Sequence, residues 1–166
     1  MRLALERRAV LSLGANLGDR LGTIDRAVRA LEAIDGIRVL ERSGAWESPS
    51  WHPDGEGLSP DYANIAVVVG TTLEPLALLD ATRAIEDALG RERAERYGSR
   101  TIDIDIVTVE GLVSDDPELT LPHPRAHERL FVLLPWLEIE PDAALPGHGS
   151  VAELAEYADG DAWRLP

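Results

Sequence analysis

"SPSWHPDGEGLSPD" (residues 48–61) decides the fold. The stretch is dense in Pro, Gly, Ser and Asp and carries only a weak helix signal, so it reads as a loop. A helix there would let the flanking strands run parallel through a crossover. A loop favours antiparallel neighbours instead. Upstream, "IRVLERSGAWES" (37–48) is one irregularly alternating strand, and downstream "YANIAVVVGTTL" (62–73) is a β-branched strand.

Each strand has a helix beyond it. "DRLGTIDRAVRALEAIDG" (19–36) places Leu21, Ile24, Ala27, Val28, Leu31 and Ile34 on one stripe, with Gly36 as the stop. "EPLALLDATRAIEDALG" (74–90) opens on Pro75, carries a stripe of Leu78, Leu79, Thr82, Ile85 and Leu89, and ends at Gly90. "AVLSLG" (9–14) and the run 101–109 supply the first and last strands of the pattern in chain order. The order β-α-β, β-α-β with a long central loop predicts an α+β fold with a ferredoxin-like βαββαβ core and an antiparallel sheet. A doubly wound parallel sheet is the competing topology. Residues 120–141, "TLPHPRAHERLFVLLPWLEIEP", contain too many prolines for one long element. "SVAELAEYA" (150–158) predicts a closing helix capped by Ser150. These additional C-terminal elements suggest α/β/α layering.

The chain has 166 residues, of which 45% are hydrophobic, which suits one globular domain spanning 1–166. It contains no cysteine, which excludes disulfides, thiolate metal sites and cysteine nucleophiles. The N-terminal apolar run is too short for a secretion signal, and no stretch reaches the ~20 apolar residues of a membrane helix. A cytoplasmic protein is expected. The formal net charge of −14 argues against nucleic acid or an anionic membrane as partner. All 16 basic residues are arginine. No "GxxxxGK[ST]" occurs, so any phosphate must be held by Arg, His, backbone N–H groups or metal.

"RYGSRTIDIDIV" (96–107) carries the chemistry. Side chains alternate along a strand, so Ile102, Ile104 and Ile106 share the face covered by helices, and Asp103 and Asp105 share the other. Two carboxylates about 6.6–6.8 Å apart at their Cα atoms repel and ask for cations. Salt bridges to arginine are one answer. A Mg²⁺ site is the other, since Mg²⁺ takes one or two protein carboxylates and completes its octahedron with water and substrate phosphates. Four arginines, Arg91, Arg93, Arg96 and Arg100, stand just upstream and suit bidentate phosphate contacts. Metal with polyphosphate accounts for both features together.

"LTLPHPRAHERLF" (119–131) adds His123, Arg125, His127 and Arg129, with His123 held on a stiff loop between two prolines. His123 and His127 stand at i, i+4, but no accompanying Glu motif supports zinc. Trp51, Tyr62 and Phe131 read either as core residues or, with Asn64, as a stacking site for a flat heteroaromatic ligand.

"LSLGANLGDR", "DYAN", "GRERAERYGSRTIDIDI" and "LPHPRAHERLFVLLP" together resemble the 6-hydroxymethyl-7,8-dihydropterin pyrophosphokinase family of folate biosynthesis, over roughly residues 10–147. The resemblance implies transfer of the β,γ-pyrophosphoryl unit of ATP to a pterin hydroxymethyl group, with release of AMP. It implies two Mg²⁺ ions at Asp103 and Asp105, and Arg91, Arg93, Arg100, His123 and Arg129 on the triphosphate. Arg91 and Arg100 join the two aspartates as the catalytic set. Adenine is implied near Ile106 and Thr120, and Glu86 as a support for the phosphate-binding arginines. The pterin is expected between Tyr62 and Phe131, with Asn64, Ser48, Pro49 and Trp51 reading its edges. Asn16 is expected at the pocket floor. Family members usually have Thr-Pro where this chain has Ser48-Pro49, and Trp-Gly-Pro-Arg where it has Tyr97-Gly98-Ser99-Arg100. A monomer using ATP and the pterin as small-molecule substrates is the corresponding expectation, with no other folate enzyme attached.

Overall fold

A computed structural model describes residues 5–50, 60–90 and 101–166. Trp51, Arg91, Arg93, Arg96 and Arg100 lie outside the described residues, as do Tyr97 and Ser99. The elements run β1 (Arg7–Ala15), α1 (Arg20–Glu32), β2 (Ile37–Arg42), β3 (Trp46–Ser48), β4 (Tyr62–Thr71), α2 (Pro75–Gly90) and β5 (Asp103–Val109). They continue with β6 (Ser114–Asp116), β7 (Leu119–Leu121), α3 (Leu130–Ile139), β8 (Ala144–Leu145), β9 (Gly149–Ser150), α4 (Val151–Tyr157) and β10 (Trp163–Arg164).

Strand β4 is the spine of the sheet. It pairs with β1 along one edge and with β2 and β3 along the other, β1 pairs in turn with β5, and every pairing is antiparallel. The order is the ferredoxin-like one, with β10 added outside β3. The parallel alternative is therefore excluded for these strands. The predicted single strand 37–48 is two strands. Between them Ser43 pairs its backbone N–H with the Ala66 carbonyl while its Oγ accepts from the Ala66 N–H, so the chain changes register there.

Alternation along the strands sorts side chains to two layers. Leu11, Leu13, Ile65, Val67, Ile104 and Ile106 pack with Ile24, Leu31, Leu78 and Ile85 beneath α1 and α2. Val10, Ala66, Val68 and Val107 pack with Val132, Leu133 and Trp136 of α3 on the opposite face. Helix α3 runs through Pro135. A mid-helix proline forfeits one backbone hydrogen bond. Burial of Val132, Leu133 and Trp136 against the sheet offsets that cost, each contributing roughly 1.5–3 kcal/mol. Strand β5 has a bulge: Leu11 faces Ile106 and Val10 faces Thr108, leaving Val107 extra. The Val107 carbonyl accepts from the His123 N–H at 2.8 Å, which fixes the histidine loop to the aspartate strand.

Candidate active site

The α3 face of the sheet is apolar at one end and polar at the other. Toward the N-terminal half of β4, the side chains on this face become Tyr62, Asn64, Ser12, Asp103 and Asp105. Asp103 lies opposite Gly14 and Asp105 opposite Ser12. Across β1, Gly14 faces Asn64. A cleft of about 690 Å³ opens over this patch, lined among others by Gly14, Ser48, Tyr62, Asn64, Asp103, Asp105, Arg129 and Phe131. A smaller cleft of about 280 Å³ lies between α2 and the β6–β7 turn, lined among others by Glu86, Ile106, Thr120, His123 and Asp105. Asp105 belongs to both.

The larger cleft is shaped by a missing side chain. A Cβ on Gly14 would stand 3.0 Å from Asn64 Oδ1 and 3.6 Å from Tyr62 Cδ1. Asn64 is buried, and its Nδ2 donates to the Trp46 carbonyl at 3.1 Å and to Ser48 Oγ at 2.9 Å. The amide is thereby oriented before any ligand arrives. Burial, and after it the Asp103 carboxylate, hold the Tyr62 pKa above its ordinary value, so the phenol remains protonated. Phe131 closes the far side, with the Arg129 guanidinium 5.6 Å from its ring centroid. Arg129 Nη1 also lies 3.8 Å from Asp105 Oδ2. Asn16 is buried and absent from the described lining of the cleft, and its Nδ2 donates to the Pro60 carbonyl at 3.3 Å.

In the smaller cleft, Glu86 Oε2 accepts from the Ile104 N–H at 2.9 Å, midway between the aspartates. The acid thus holds the outer edge of β5. His123 Nδ1 accepts from the Arg125 backbone N–H at 3.1 Å, which assigns the neutral ring's proton to Nε2. Burial depresses the His123 pKa, Asp105 opposes the shift, and Arg129 and Arg125 reinforce it. The structure adds Gly14, Arg125, Arg83 and Glu118 to the lining. The sequence singles out Arg125 with His123 on the proline-bracketed loop; Gly14, Arg83 and Glu118 were not expected from the sequence.

Asp103 and Asp105 meet the needs of a hard cation, because both present carboxylate oxygens to an open cleft. Among the described residues no group of three or more His, Cys, Asp or Glu gathers around one point. A cation here would complete its shell with water and substrate oxygens, the usual habit of Mg²⁺. Among the described residues no helix is long and apolar enough to cross a membrane.

Residues 10–141 match the family model described as 7,8-dihydro-6-hydroxymethylpterin-pyrophosphokinase (HPPK). The chain is 44% identical over 149 residues to the 2-amino-4-hydroxy-6-hydroxymethyldihydropteridine pyrophosphokinase of Methylorubrum extorquens, covering 90% of this chain and 92% of the relative. It is 34% identical over 152 residues to the enzyme of the same name from Haemophilus influenzae, covering 91% and 93%. The fold matches a crystal structure of wild-type Plasmodium falciparum HPPK-DHPS with pteroate at a TM-score of 0.68 and 15% identity, covering 94% of this chain and 43% of that one. The match of residues 10–141 to the family model and the extent of identity to these relatives lead to one conclusion: the chain belongs to the 7,8-dihydro-6-hydroxymethylpterin-pyrophosphokinase family.

Proposed function

We propose that the chain transfers pyrophosphate from ATP to the hydroxymethyl group of 6-hydroxymethyl-7,8-dihydropterin, giving the pterin pyrophosphate and AMP in folate biosynthesis. The observation that carries the reading to particular residues is the position of Asp105, which lines both clefts. A carboxylate at that junction stands where the polyphosphate of a nucleotide in one cleft would meet an acceptor in the other.

The larger cleft takes the pterin. Tyr62 and Phe131 supply ring faces, and Asn64, Ser48, Pro49 and Trp51 supply the edge contacts. The smaller cleft takes ATP, with adenine near Ile106 and Thr120 and the triphosphate running toward Asp105. Arg129 and the Nε2–H of His123 bind phosphate oxygens, and Arg91, Arg93 and Arg100 complete the cationic lining. Glu86 holds the aspartate strand in register through Ile104. Two Mg²⁺ ions on Asp103 and Asp105 would neutralise developing charge on the transferring group. The pterin hydroxyl attacks the β-phosphorus in line and AMP departs. A loose transition state of this kind requires little from a general base. With charge supplied locally, a protein of net charge −14 can still bind an anionic substrate.

One pyrophosphokinase domain over residues 1–166, a monomeric state and a cytoplasmic location accompany this reading. The test is AMP formation from ATP in the presence of the pterin and Mg²⁺. ATP consumption that yields ADP, or that proceeds equally without the pterin, would overturn the reading.

A further inference from the structure

We propose that Arg20 is a positioning residue for the pterin half of the site, acting from the opposite face of the sheet. The inference rests on the assignment of Ser48, Pro49, Tyr62 and Asn64 to the pterin. Arg20 begins α1, and its Nη1 makes two hydrogen bonds: 3.0 Å to Glu47 Oε1 and 2.9 Å to the Asp61 carbonyl. Glu47 immediately precedes Ser48, and Asp61 immediately precedes Tyr62. One nitrogen therefore ties together the two chains that enter and leave the segment between them.

The location gives the tie its importance. Ser48 opposite Tyr62 is the last rung of the β3–β4 ladder. The ladder ends at that rung, and terminal rungs fray most readily. Ser48 Oγ and the Trp46 carbonyl are also what orient the Asn64 amide. If the last rung opens, Tyr62 moves relative to Ser48 and Asn64 loses its fixed acceptors together. The strand alternation puts Ser48 and Asn64 on the cleft face and Glu47 on the α1 face, so the guanidinium acts through the backbone and touches no substrate. The Arg20 and Glu47 side chains are only 26% and 21% exposed, so solvent screens this pair less than the surface pairs elsewhere. Asn16, from the same turn, reinforces the tie through the Pro60 carbonyl.

Both donations come from one nitrogen, so a lysine ammonium can reproduce them, whereas alanine cannot. The experiment is steady-state AMP formation with each substrate varied in turn, on wild type, Arg20→Ala, Arg20→Lys and Glu47→Gln. For Arg20→Ala the expected result is a pterin KM raised roughly tenfold, about 1.4 kcal/mol. The KM for ATP should stay within about twofold and kcat within about threefold. Arg20→Lys should return the pterin KM to within about threefold of wild type. Glu47→Gln, which keeps the guanidinium and its bond to Asp61, should shift the pterin KM in the same direction by less, and it decides the matter if Arg20→Ala does not fold. An unchanged pterin KM in Arg20→Ala, or in Glu47→Gln where it alone is folded, overturns the proposal. So does an equal rise in both KM values that lysine does not rescue. Failure of wild type to turn over the pterin would instead overturn the assignment of function.

Discussion

Arg129 reaches back from the start of α3 to within 3.8 Å of the Asp105 carboxylate, a separation longer than a hydrogen bond. The two attract without being locked, and the Asp105 side chain remains 43% exposed to the cleft. The carboxylate therefore remains accessible to another cation, which bears directly on what its loss should do.

Asp103→Asn and Asp105→Asn should each reduce turnover by about 10³-fold or more, roughly 4 kcal/mol of transition-state stabilisation. Neither removes buried apolar contacts, so the thermal unfolding midpoint should stay close to that of wild type. AMP release and a melting curve on the same preparations check both halves. Near-normal turnover in both variants would make the aspartates structural.

Phe131→Ala should weaken pterin binding by roughly 1–3 kcal/mol through lost stacking and apolar contact. ATP affinity should barely change, because Phe131 lines the larger cleft and is absent from the described lining of the smaller one. Separate calorimetric titrations with the two ligands distinguish the cases. Equal losses would indicate damage to α3, and no loss for the pterin would place its pocket elsewhere.

Gly14→Ala adds a methyl group 3.0 Å from Asn64 Oδ1. Asn64 cannot withdraw freely while its Nδ2 is held by Trp46 and Ser48. Pterin affinity should fall by roughly 1–3 kcal/mol, the usual range for overpacking a filled site, while the nucleotide binds as before. A variant with full pterin affinity would show that Asn64 is not held as described.

Glu138 of α3 accepts from the Gly44 N–H at 2.5 Å, from Trp46 Nε1 at 3.1 Å and from Arg164 Nε of β10. Burial pushes its pKa up, but the Gly44 N–H, Arg164 and Trp46 together outweigh it, and the result lies below the ordinary value of 4.5. A carboxylate with a depressed folded-state pKa stabilises the native protein above its unfolded pKa, and that stability is lost as pH falls through the folded pKa. The melting difference between wild type and Glu138→Gln should therefore be full near about pH 6 and shrink toward about pH 3. A difference that does not vary with pH would sink the assignment.

The core was legible because its signals are local. The stripes of α1 and α2 and the alternation around Asp103 and Asp105 each reside within one short stretch. What was not legible depends on distant partners. Strand 37–48 divides because Ser43 pairs twice with Ala66, a contact that no window around residue 43 contains. Helix α3 persists through Pro135 because the sheet covers it, a case of packing overriding propensity. Strand β10 is two residues long and owes its place to β3 and Glu138. In the site, Tyr62, Asn64, Asp105 and Arg129 could be grouped by face and spacing. Gly14 contributes by an absence, and Arg20 works from behind the sheet, so neither has a pattern of its own.

The shared position of Asp105 has a thermodynamic consequence. If filling one cleft changes affinity in the other, the factor must be the same in both directions, because the two routes to the doubly bound protein end at one state. A carboxylate bordering both clefts is well placed to carry that reciprocity. Its removal should then diminish the help that nucleotide gives to pterin and the help that pterin gives to nucleotide by an identical ratio, even where the affinities for each ligand alone change unequally.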